Sequence, residues 1–174
     1  MKRKNLLLIV LALMVNSAIA APALKVEKGN WVALLKEEAV AYVVFDYSKA
    51  TCEGKKSYEE FCGDTYISRT ESSVVDFVDA FNMGRTNLEM SNDSTLNAKY
   101  KLTFHINKLE RKQGMSMWGR FFIRVYGHME IVNLESNEIV CAIAINGHAG
   151  GDDFVPEHRL SKCFKSLGWK LLDI

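Results

Sequence analysis

Three stretches in the second half of the chain alternate apolar and polar residues with a period of two, and this pattern constrains the fold more than any other feature. Residues 99–109 set Tyr100, Leu102, Phe104 and Ile106 against Lys101, Thr103, His105 and Asn107. Residues 121–134 set Phe121, Ile123, Val125, Met129 and Ile131 against Phe122, Arg124, Tyr126, His128 and Glu130. Residues 138–147 carry Ile139, Cys141, Ile143 and Ile145 on one side and the smaller Val140, Ala142 and Ala144 on the other. Successive side chains of a strand point to opposite faces, so each stretch reads as a strand with one buried and one wetter face. Glu135-Ser136-Asn137 supplies a hairpin turn, and three sequential strands with short connections imply an antiparallel meander.

The first half is less regular. VAYVVFDYS, residues 40–48, is β-branched and aromatic on both faces, as in a strand covered on both sides or at a sheet centre. Leu24-Lys25-Val26 reads as a short strand, and Ser57 as the cap of a helical turn reaching Phe61. Residues 73–82 place Val74, Phe77, Val78 and Phe81 at helical spacing, with Ser73 and Asp76 resembling a capping box. Residues 85–98 read as a surface loop. Residues 155–172 predict a final helix, with Pro156 in its first turn and a stripe of Leu160, Cys163, Phe164, Leu167 and Leu171. The expected fold is an α+β two-layer sandwich. It has a mainly antiparallel sheet of four to five strands and two main helices, in the order strand, helix, three-strand meander, C-terminal helix.

Met1-Lys2-Arg3-Lys4, the apolar run over 6–15 and Ala18-Ile19-Ala20 have the form of a signal peptide cleaved after Ala20. The expected organisation is therefore a signal peptide over 1–20 and one domain over 21–174, in the periplasm or secreted. The mature chain contains no apolar stretch long enough to span a bilayer. Its 19 basic residues stand against 21 acidic ones, a formal charge of −2, which argues against binding nucleic acid. Cys52, Cys62, Cys141 and Cys163 make an even number for an exported chain, and Cys52 and Cys62 flank a short loop that a disulfide would close.

No nucleophile elbow, phosphate loop or HExxH motif occurs, so no catalytic residue and no cofactor is assigned. NGHAGGDDFVPEHRLSKC, residues 146–163, concentrates reactive groups. His148, Asp152, Asp153 and His158 make the alternative of a metal site there; the simpler reading is a glycine-rich strand-to-helix bend whose acids favour the helix start. The wetter face of the meander gathers Lys101, His105, Phe122, Arg124, Tyr126 and His128, a mixture of aromatics and cations suited to a ligand or partner. Met115, Met117 and Trp118 in the intervening connection offer a second partner surface.

VVFDYS, YKLTFHINKLE, EIVNLESNEIVCAIAI, GGDDF and RLSKCFKSLGWKL, in that order, resemble a group of small exported cell-envelope proteins of Gram-negative bacteria without an established activity. The resemblance implies the compartment and an α+β fold and transfers no catalytic residue. The expected function is non-catalytic binding of an envelope protein or a small polar ligand. The alternative is an exported hydrolase or metal-dependent enzyme using the 148–158 bend.

Overall fold

The alternating stretches become the longest strands of a single sheet. A computed structural model describes residues 22–113, 121–153 and 156–174. In chain order its elements are β1 (Leu24–Lys28), α1 (Trp31–Leu34), β2 (Ala39–Asp46), β3 (Thr51–Cys52), α2 (Tyr58–Cys62), α3 (Tyr66–Asn82), β4 (Leu88–Ser91), β5 (Tyr100–Gln113), β6 (Phe121–Asn133), β7 (Glu138–Asp153) and α4 (Pro156–Lys170). The sheet order is β1-β7-β6-β5-β2-β4, with β3 beside the distal half of β5. Among the described residues, no helix is long and apolar enough to cross a membrane.

The expected sandwich with a mainly antiparallel sheet of four to five strands is corrected by this topology. The sheet has seven strands and is mixed: β2 runs parallel to both β4 and β5, and β3 runs parallel to β5. β2 and β4 are parallel because the chain leaves β2 through β3, α2 and α3 and this crossover brings it back pointing the same way, and the helix-free connection over 92–99 then carries it past β2 to β5. The additional strands are short. β4 lies within 85–98, expected to be a loop, where Leu88 and Met90 are buried two residues apart. Two helices, α3 and α4, are long and two more are short. The expected cap at Ser73 is also corrected: α3 begins at Tyr66, and Ser73 sits buried in mid-helix, its Oγ donating 2.6 Å to the Arg69 carbonyl. The Ser57 cap does form, as a reciprocal box with Glu60 at the start of α2.

Both long helices cover the same face of the sheet. The stripe of α4 is wholly buried. Phe164 lies with its ring centroid 4.8 Å from Phe45, 5.8 Å from Phe104 and 6.4 Å from Tyr47; burying a side chain of this size contributes about 1.5–3 kcal/mol. α4 approaches α3 at Gly168, where a Cβ would meet the Phe77 carbonyl oxygen at 2.5 Å.

Candidate functional site

With both long helices on one side, the opposite face of the central strands is left open among the described elements. Strand register sets the order of side chains across it. One row runs Val44, Thr103, Glu130, Ala142; the next runs Asp46, His105, His128, Ala144. Farther along β5 and β6 come Lys108 with Tyr126, Glu110 with Arg124, and Lys112 with Phe122. A register shift between Ile106 and Lys108 keeps Lys108 on the open side after His105, leaving Asn107 as the extra residue. Lys101, His105, Phe122, Arg124, Tyr126 and His128 therefore share the open face, all half-buried.

Its centre is a carboxylate-bracketed histidine pair. The rings of His105 and His128 stack with centroids 4.8 Å apart and planes 22° from parallel. His105 Nδ1 lies 2.9 Å from Asp46 Oδ2, while His105 Nε2 and His128 Nε2 lie 3.8 and 3.6 Å from the two carboxylate oxygens of Glu130. Hydrogen bonds from Ser48 draw the Asp46 carboxyl down to about 2, with His105 adding to the effect. Asp46 thus stays ionised and orients the His105 ring.

Along the strands a second group forms around Glu110. Lys108 pairs with it, Lys112 Nζ stands 3.5 Å away, and Tyr126 Oη donates to it at 3.1 Å. The hydrogen bond from Lys108, followed by that from Tyr126, holds the Glu110 carboxyl below the usual range. Lys108 Nζ also lies 5.5 Å from the Tyr126 ring centroid. The Arg124 guanidinium lies 5.6 Å from the Phe122 ring centroid, and its buried Nε has no hydrogen-bond partner. Chemically the face offers flat aromatic surface, cations and a hydrogen-bonding imidazole pair. Asp46 and Glu130 were absent from the sequence-derived site because strand register decides their neighbours; the outward alternation Val40, Tyr42, Val44, Asp46 was the available signal for the first.

The 146–153 stretch differs from the expected bend. It is strand: β7 continues to Asp153, with Gly147 as a bulge at φ 73°. The extra residue places Asn146 opposite Tyr126 and turns His148 inward opposite Val125. His148 is buried against the helix layer, its Nε2 without a partner, and burial lowers its pKa, with the Lys170 charge adding. His158 is exposed on α4. Asp152 and Asp153 belong to β7 as backbone, and their side chains lie outside what is described. Among the described residues, no group of three or more His, Cys, Asp and Glu side chains is arranged to hold a metal ion. Met115, Met117, Trp118 and the 1–20 leader lie outside the described residues. The four cysteines are buried free thiols, and burial, followed by the neighbouring Cys62, pushes Cys52 up to about 12.

No family model matches the chain, and no curated protein matches it. Among solved structures it is similar to a PelC dodecamer from Paraburkholderia phytofirmans, at 16% identity over 86% of this chain and 95% of that one, with a TM-score of 0.49. It is also similar to protein XCC0632 from Xanthomonas campestris, of the family-model DUF330, at 12% identity over 83% and 87% of the two chains, with a TM-score of 0.45. These are likenesses of overall shape at low identity and transfer no function to this chain.

Proposed function

We propose that the chain is exported after losing residues 1–20 and works in the cell envelope by non-catalytic binding, holding a protein partner or a small polar ligand on the open sheet face. One observation carries this reading: the helix-free face is not the polar surface that water alone would favour. Val40, Tyr42, Val44, Val132, Ala142 and Ala144 all lie half-buried on it, interleaved with the histidine pair and the Tyr126, Arg124 and Phe122 group. Aromatic residues and arginine around apolar surface are the composition of a binding patch. A sheet face that merely meets water alternates apolar-in with polar-out.

Capture from the native envelope tests this reading. The wild-type protein and a Tyr126→Ala, Arg124→Ala double variant are compared as baits, with circular dichroism to establish that both fold. The wild type is expected to retain a partner that the double variant loses. A double variant that folds normally and keeps every partner would overturn the assignment of this face.

A further inference from the structure

A separate concavity lies at the carboxyl end of β2, between that strand end and helices α2 and α3. Its volume is about 400 Å³, within the range of small-molecule sites. β2 has parallel neighbours on both sides, and the carboxyl end of such a strand is where sheets with helical crossovers open a crevice. Tyr47, Tyr58 and Tyr66 line it together with the acidic Asp46 and Glu59; no lysine or arginine is among the lining residues.

The aromatic lining has a fixed shape. Tyr47 and Tyr58 stack at 3.7 Å with planes 7° apart, and Tyr66 stands 5.5 Å from Tyr58 at 63°, so the rings form a corner. Tyr47 and Tyr58 are 8% and 2% exposed, and neither hydroxyl makes a hydrogen bond of normal geometry. Ring faces carry negative potential and attract cations, and the two carboxylates add charge of the same sign. Asp46 is ionised down to about 2 through its Ser48 hydrogen bonds. The charged side chains of the lining, Asp46 and Glu59, are both acidic, which disfavours an anionic ligand.

We propose that this cleft binds a small organic cation, an amine or quaternary ammonium compound, whose charged head lies among the tyrosine rings and the Asp46 and Glu59 carboxylates. The site is distinct from the open face, although Asp46 touches both.

The test is a nitrogen-15 NMR titration of the mature protein with choline and, separately, with its uncharged carbon isostere 3,3-dimethylbutan-1-ol. Choline is expected to produce saturable shifts at the amides of Tyr47, Ser48, Tyr58 and Tyr66, and the alcohol none. Binding should weaken about threefold or more in Glu59→Gln and in Tyr66→Leu. Glu59 is exposed and takes no part in the Ser57–Glu60 cap, so its replacement leaves α2 intact. No saturable shift with choline, equal saturation by the alcohol, or unchanged choline affinity in both variants would overturn the proposal.

Discussion

At the scale of single residues, Asp46 and His148 show how position sets chemistry. Asp46 accepts the Ser48 amide hydrogen at 3.0 Å through one oxygen and faces His105 through the other. Its folded pKa of about 2 lies below the unfolded value of about 3.9. The stabilisation linked to it is therefore full above about pH 4 and lost as pH falls toward 2. A carbon-13 titration should place the Asp46 midpoint near 2, and a midpoint near 3.9 would refute its pairing. His148 has the opposite chemistry: burial favours its neutral form, so the unfolded chain binds the proton more readily. Stability should be full above the ordinary histidine value of about 6.5 and decline as pH drops through it. Urea unfolding at pH 7.5 and 5.5 should show a smaller decline in His148→Phe than in wild type; equal declines would contradict the assignment. The sequence placed His105 and His128 on one face because alternation alone does that. It left out Glu130 as their partner and misread the turn at Gly147, because register and bulges depend on how strands meet.

At the scale of elements, the longest periodic segments were the most readable. The stripe running from α4 to Leu171, the inward residues of β5 and β6, and Cys141, Ile143 and Ile145 of β7 are buried as their spacing implies, since a period of 3.6 or 2 has one good solution when one side must leave water; Ile139 departs from it, because a register shift sets it opposite Val132. Elements as short as β3 and β4 carry too few residues to show a period. The length of α3 was hidden because its first turns, from Ile67 to Ser72, are largely exposed and polar. Two substitutions probe the helix layer. Phe164→Ala should cost about 3–5 kcal/mol of unfolding free energy, measured in urea, because the ring is surrounded by Phe45, Phe104 and Tyr47. Gly168→Val should cost about 1–3 kcal/mol by forcing α4 away from the Phe77 carbonyl. A neutral effect at Gly168 would show that the helices do not meet there.

At the scale of the whole molecule, a mixed sheet is covered by helices on one side and left open on the other. The sequence conveyed the meander but not the mixed topology, because parallel pairing of β2 with β4 and β5 is decided by how the two connections, over 47–87 and 92–99, pass the sheet rather than by any local pattern. It did convey the chemistry of the open face, since Lys101, His105, Phe122, Arg124, Tyr126 and His128 fall on the outward positions of two readable strands. What required the assembled sheet was the apolar ground on which they stand, from Val40, Tyr42 and Val44 to Ala142 and Ala144, brought together from distant parts of the chain. Binding through this face is most directly tested by a photo-crosslinking amino acid placed at His128, on the open side, and separately at Glu71, exposed on α3. Irradiation in the native envelope should give a discrete crosslinked product from position 128 and none from position 71; a product from 71 with none from 128 would contradict the account.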